Sequence, residues 1–272
     1  MRVVVITTHD DPLAGVFWEA YRRSSGLPPA AVIFLVPRRR RRLWRRALEG
    51  ALLFGLTDGV RAWRLGQRMR RILTESPRQI FGEPIEFHTL GRISSGDGLH
   101  TLQRLAPDLL VSVGAPEIFR PAALHTARLG AVNVHNGRLP AYRGLFGTFW
   151  EALAGEAWGY ASIHMMEPGI DTGAVLAQGG VPLEGRSMLD VLTAKKELGG
   201  RLLAWLVQHV AREGRFPPAR PADPAASSGY YSWPTLRDLG AFKVRSLRRV
   251  LHRARPSATA VESWPAGMVH DQ

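Results

Sequence analysis

An amide and an imidazole two residues apart, Asn133 and His135, end the apolar run that starts at Leu129. In an extended strand residues i and i+2 leave the same face, so these two side chains can converge on one substrate atom. Such groups stabilise an oxygen that becomes negative, and a carboxylate beside the imidazole favours its charged form. A carboxylate of that kind, Asp171, lies 27 residues beyond Gly144, inside Gly169-Ile170-Asp171-Thr172-Gly173. The three together describe an acyl-transfer site without a protein nucleophile. The plainer reading is a strand end followed by a turn aspartate.

The elements that must position these groups read as an α/β chain with a doubly wound, mostly parallel sheet. Val3 to Thr7 is a continuous apolar run, as in a strand buried on both faces, and Pro12 to Ser24 has helical spacing before a second strand, Ala30 to Val36. A strand, a helix and a strand in that order open a doubly wound sheet. A third strand is expected to begin at Glu83, and Asp108 to Gly114 reads as a buried central strand. Ligands of such sheets collect at the carboxyl ends of the strands. Tyr160 to Met166 reads as a strand with His164 in its middle, where a histidine is more often structural than catalytic. Ser187 to Arg212 fits a long helix covering the sheet.

Asn133-Val-His135, Leu139-Pro140, Tyr142-Arg-Gly144, Trp150, Gly155-Glu156, His164 and Gly169-Ile-Asp-Thr-Gly173 together resemble the signature of the formyltetrahydrofolate-dependent formyltransferases. The resemblance spans roughly residues 84 to 212 and implies a Rossmann-like formyltransferase fold. It matches the family's catalytic Asn, His and Asp to Asn133, His135 and Asp171. It implies 10-formyltetrahydrofolate as donor, with no metal, and direct attack by a substrate amine while Asn133 and a protonated His135 stabilise the oxyanion. Val113, Gly114, Ala115 and Ile118, with Gly169, Ile170, Thr172 and Gly173, become the expected folate contacts. One departure is clear: the family usually reads His-Pro-Ser-Leu-Leu-Pro where this chain has His135-Asn-Gly-Arg-Leu-Pro140.

The acceptor has to be read from the departures. The first turn, Thr7-Thr-His-Asp-Asp-Pro12, has two carboxylates and no Gly-rich phosphate cradle, so Asp10 and Asp11 are candidate substrate contacts or helix caps. Arg138 and Arg143 flank the site and can hold an acidic group of the substrate. Catalysis is expected to occupy residues 1–212, followed by a Pro/Ala/Ser-rich linker over 213–228 and a short C-terminal extension over 229–272 with a basic helix from Lys243 to Arg255. Relatives acting on tRNA generally carry a barrel-like C-terminal domain, which a 44-residue extension cannot house. A small amine, such as a nucleotide-linked amino sugar or a specialised metabolite, is therefore preferred to methionyl-tRNA.

The formal charge of +13 is concentrated, because Pro37 to Arg71 holds twelve Arg against Glu49 and Asp58, a balance of +10. This Arg-rich helical insertion, residues 37–76, suits an ordinary helix packed on the sheet, an anionic membrane surface or lipid-linked substrate, or, less well, nucleic acid. An inactive lipid- or nucleic-acid-binding module is the alternative to an enzyme. With no cysteine, disulfides and thiolate metal sites are excluded. The opening apolar run is too short for a signal peptide, which makes a cytoplasmic protein the simplest expectation.

Overall fold

The computed structural model describes residues 1–25, 27–36, 43–82, 84–220, 228–251 and 263–264. The run of five arginines at 38–42 and the residues from 252 to 262 lie outside them. In chain order the elements are β1 (Val3–Thr7), α1 (Ala14–Ser25), β2 (Ala31–Leu35), α2 (Leu43–Glu75), α3 (Arg78–Phe81), β3 (Glu86–Leu90), α4 (Gly96–Leu105), β4 (Leu109–Val113) and α5 (Pro121–Leu124). The second half adds β5 (Gly130–His135), β6 (Tyr142–Gly144), α6 (Gly147–Ala154), β7 (Trp158–Met165), β8 (Val175–Pro182), α7 (Met188–Glu213), β9 (Gly229–Tyr231), α8 (Leu236–Leu251) and β10 (Ser263–Trp264).

The main sheet runs β10-β8-β7-β5-β4-β1-β2-β3, and β6 pairs with β9 in a separate ribbon. From β3 to β5 every neighbour is parallel, while β5-β7 and β7-β8 are antiparallel. The doubly wound, mostly parallel sheet expected from the sequence is present. Alternation along β1 assigns its residues to opposite faces: Val3 and Val5 join the cluster under α1 and α7, whereas Val4 and Ile6 join the one under α4 and α5. Both faces are covered, which is why β1, β2 and β4 read as unbroken apolar runs.

Helix α7 begins at Ser187, whose hydroxyl accepts from Asp190 N at 3.2 Å, and ends at Gly214 with φ 69. Its apolar stripe of Leu198, Leu202, Leu206 and Val210 is buried against the sheet and α1. Within α2 the backbone leaves helical geometry at Gly55 (φ 80, ψ 177), so two helical stretches are joined end to end there. Three boundaries differ from expectation. Strand β3 starts at Glu86 because it pairs with β2 from Ala31 onward. Helix α8 starts at Leu236, capped by Thr235, whose hydroxyl accepts from Asp238 N at 3.2 Å. The start of the Pro/Ala/Ser-rich segment is bound, since Phe216 packs on the core and Arg220 N donates to Val175 O at 2.7 Å. Among the described residues no helix is long and apolar enough to cross a membrane.

Candidate active site

Strand β5 brings Asn133 and His135 to its carboxyl end, beside the loop after β4. Their register partners across the antiparallel seam with β7 are His164 and Ser162. Asp171 reaches the same point from the β7–β8 loop with φ 52, a left-handed conformation that aspartate tolerates better than most residues.

Each polar atom of the cluster has a defined neighbour. Asp171 Oδ2 accepts from the backbone N–H of Gly144 at 2.8 Å and lies 3.4 Å from His135 Nδ1, while Asp171 Oδ1 lies 3.3 Å from His164 Nε2. His135 Nε2 donates to the carbonyl of Tyr142 at 2.7 Å. His164 Nδ1 donates to Met165 O at 2.8 Å, which leaves its Nε2 to accept from Asn133 Nδ2 at 3.1 Å. One carboxylate thus sits between two buried imidazoles, and one of those imidazoles orients the amide.

Burial lowers the pKa of His135, opposed by the Asp171 charge and the Tyr142 carbonyl. The Tyr142 carbonyl holds a ring hydrogen on Nε2, and Nδ1 faces the Asp171 carboxylate. Burial alone would raise Asp171, but the His164 and His135 imidazoles beside it and the Gly144 amide together hold it below the usual carboxylate range.

The sequence between these groups is built to hold them. Asn136-Gly-Arg138 hangs from a pair of buried charges: Glu151 Oε1 accepts from Arg138 N at 2.7 Å, and Thr148 Oγ1 donates to Asn136 O at 3.4 Å. Lys195 Nζ donates to both Glu151 and Thr148 at 2.8 Å. Ser162 Oγ donates to Gly137 O at 2.7 Å, and Gln178 Nε2 donates to Ser162 Oγ at 2.8 Å. Gly137 packs so closely that a Cβ there would stand 2.8 Å from His135 Nε2. Gly144 has φ +94, and a Cβ on it would meet Tyr231 O at 2.1 Å. These contacts account for the glycine at 137, where the family usually has a serine.

A cavity of about 480 Å³ opens beside the cluster, within the range of small-molecule sites. Asn133, His135, His164 and Asp171 line it together with Gly114, Ala115, Ile118, Gly169, Ile170 and Thr172. Val113 is buried in the core instead, and Gly173 packs on the Met165 carbonyl. Neither Asp10 nor Asp11 faces the cavity. Asp11 caps the first helical turn, accepting from Leu13 N at 3.0 Å, and pairs with Lys196, while Asp10 lies 3.8 Å from Arg70. Arg138 lies over the Tyr160 ring at 5.4 Å. Arg143 is half-buried, its Nε lacks a hydrogen-bond partner, and it has no ion pair among the described residues. No cluster suited to a metal ion occurs among the described residues.

Two further residues contribute, one of them read as structural in the sequence. His164 was placed correctly at mid-strand and read as structural, but its pairing opposite Asn133 depends on an antiparallel seam. Tyr230 lines the cavity because β9, in the C-terminal extension, pairs with β6, and Trp150 Nε1 donates to Ser232 O at 3.2 Å. A tyrosine-rich Gly229-Tyr-Tyr231 was the available signal.

The sequence profile of the formyl transferase family matches residues 90–201. The chain is 37% identical over 106 residues to a methionyl-tRNA formyltransferase of Synechococcus sp. (strain JA-3-3Ab), covering 39% of this chain and 33% of that protein. It is 34% identical over 137 residues to a methionyl-tRNA formyltransferase of Levilactobacillus brevis, covering 49% and 44%. The match therefore spans less than half the length of these relatives. Among solved structures it superposes on a sugar N-formyltransferase from a Shewanella species (TM-score 0.55, 15% identity, 91% of this chain and 88% of that one). It also superposes on a phosphoribosylglycinamide formyltransferase from Bacillus halodurans (TM-score 0.53, 17% identity, 79% and 97%). Residues 90–201 are thus similar to the formyl transferase family, and Asn133, His135 and Asp171 lie within that stretch.

Proposed function

We propose that the protein is an N-formyltransferase that moves the formyl group of 10-formyltetrahydrofolate to the amine of a small acceptor carrying an anionic group, such as a nucleotide-linked amino sugar. The observation that carries this reading is the convergence of Asn133, His135 and Asp171 on one cavity. A folate donor fits the lining: Phe119, Leu124 and Met166 offer apolar wall, the Gly114-Ala115 turn offers backbone, and the polar cluster closes one end. When bound, the donor supplies an activated formyl carbon.

The protein's own part follows from the hydrogen bonds. Asn133 gives one amide hydrogen to His164 and keeps the second for an oxygen that gains negative charge. The Tyr142 carbonyl fixes the hydrogen of His135 on Nε2, so Nδ1 is the basic nitrogen, and it faces Asp171. A proton released by the attacking amine is taken up at Nδ1, directly or through one water, and the carboxylate stabilises the imidazolium. Gly144 N–H holds the carboxylate in place throughout. Arg143 is outside the cavity lining, but its side chain has no partner among the described residues and it adjoins Gly144, which lines the cavity. This supports an acceptor with a phosphate or carboxylate.

The names of the sequence relatives favour a second reading, formylation of methionyl-tRNA. Incubation with 10-formyltetrahydrofolate and a panel of amines that includes nucleotide amino sugars and methionyl-tRNA separates the two. Tetrahydrofolate release with a small amine supports the first reading, release only with the tRNA supports the second, and release with neither overturns both.

A further inference from the structure

Helix α2 turns outward a face that no other element covers among the described residues. Trp63 is 64% exposed and Val60 49%, and Arg61, Arg64, Gln67, Arg68 and Arg71 are exposed beside them. These positions recur at intervals of three and four residues, so they form one side of the helix. The opposite side carries Met69 and Leu73, both buried. Arg70, whose side chain is 41% exposed and lies 3.8 Å from Asp10, borders this side next to Trp63. Trp63 and Gln67 lie along one edge, Val60 and Arg71 run along the middle, and Arg64, Arg68 and Arg61 follow towards the other edge. Arg61 pairs with Asp58 at 2.9 Å and Arg71 with Glu75 at 3.0 Å. Arg64 and Arg68 have no ion-pair partner among the described residues.

The helix is fixed next to the site. Gly66 lies against Pro12, Met69 lies against Gly15, and Arg70 is 3.8 Å from Asp10, all in or just after the loop that follows β1. Thr7 Oγ1, at the end of β1, donates to Val113 O at 3.0 Å, and the next residue, Gly114, lines the cavity. The outward face of α2 therefore sits at the carboxyl edge of the sheet, where the acceptor must arrive.

We propose that α2 docks the protein on an anionic lipid surface, with Arg64 and Arg68 against headgroup anions and Trp63 at the boundary with the acyl region. The balance of +10 over Pro37–Arg71 supplies attraction at a distance, and basic residues each add to partition once near the surface. An exposed tryptophan on one edge of a cationic helix face is the arrangement that such an interface favours, since its ring is apolar and its N–H stays wet. The docked state brings the cavity close to acceptors held in or on the membrane.

Flotation of the full chain with phosphatidylcholine vesicles, with and without phosphatidylglycerol, tests this independently of formyl transfer. The protein is expected to float with the anionic vesicles and to stay behind with the neutral ones. Arg64→Gln/Arg68→Gln is expected to weaken partition about thirtyfold, from the contribution of two basic residues beside an anionic surface. Trp63→Ser is expected to weaken it as well, and both variants, changed only at exposed positions, should melt like the parent. The proposal is overturned by no flotation, by equal flotation with neutral vesicles, by unchanged partition in both variants, or by a short RNA duplex that displaces the protein from the vesicles.

Discussion

Lys195 Nζ lies 2.8 Å from Glu151 Oε2, and neither side chain has any exposure to solvent. Burial pushes the Glu151 carboxyl up and the Lys195 ammonium down, and each partner's charge opposes that shift in the other. The other oxygen of Glu151 accepts from Arg138 N and Tyr160 N, so the pair ties α6 and α7 to the loop that follows His135. Removing one member of a buried pair leaves a charge uncompensated and costs about 3–5 kcal/mol. Lys195→Met is expected to lose stability on that scale in urea denaturation. Lys195→Met/Glu151→Gln, which keeps an acceptor for both amides, is expected to recover most of it. A loss below about 1 kcal/mol in the single variant would assign the pair the weak role of a surface bridge.

Asn133 carries the oxyanion role. Removing one such donor typically costs about 2.7–4 kcal/mol of barrier. Asn133→Ala is expected to lower kcat for formyl transfer by a hundredfold or more while the folded state melts near the parent temperature, because Asn133 is only half-buried. Turnover within a few-fold of the parent would remove it from the mechanism.

The pH profile follows from His135. Its pKa is lowered from an ordinary value of about 6.5, and its neutral form is the one that accepts a proton, so kcat/KM is expected to fall only as pH drops below that value. Asp171, held below the usual carboxylate range, stays charged across that limb. The Asp171 charge raises His135 against burial. Asp171→Asn removes it, so the acid limb of the residual activity is expected to move to lower pH with the same acceptor. Movement to higher pH would contradict the assigned polarity of the pair.

Gly137→Ala tests the fit of the loop. A Cβ 2.8 Å from His135 Nε2 and 2.9 Å from Tyr142 O must displace the ring or break its bond to the carbonyl. Displacement of a catalytic group by about 1 Å can cost on the order of a hundredfold in rate. The expected outcome is a large loss of kcat. Gly91→Ala, where a Cβ meets nothing within 4 Å, is expected to leave activity unchanged.

The sequence was legible where a physical rule acts locally. Continuous apolar runs revealed β1, β2 and β4 because both faces of those strands are covered. The i, i+2 spacing of Asn133 and His135 placed them on one face of β5. Asp171 was found by resemblance, since nothing local says that a turn 27 residues beyond Gly144 returns to β5. Long-range pairing places the rest: His164 gains its position from the β5–β7 seam, and Tyr230 from the β6–β9 ribbon. The acidic first turn was open to two readings, and the structure shows Asp11 capping α1 and paired with Lys196, a cation 185 residues away. Arg138 and Arg143 looked equivalent in sequence and differ in the fold, where one lies on Tyr160 and the other has no partner among the described residues.

The central claim is that Asn133, His135 and Asp171 act together in direct formyl transfer to an amine. It is tested most directly by following tetrahydrofolate release and N-formyl product together, for the parent, Asn133→Ala and Asp171→Asn, with the best acceptor found. Equal amounts of tetrahydrofolate and formylated product are expected from the parent, with both falling at least a hundredfold in each variant. Near-parental formation of the N-formyl product in both variants would contradict the account.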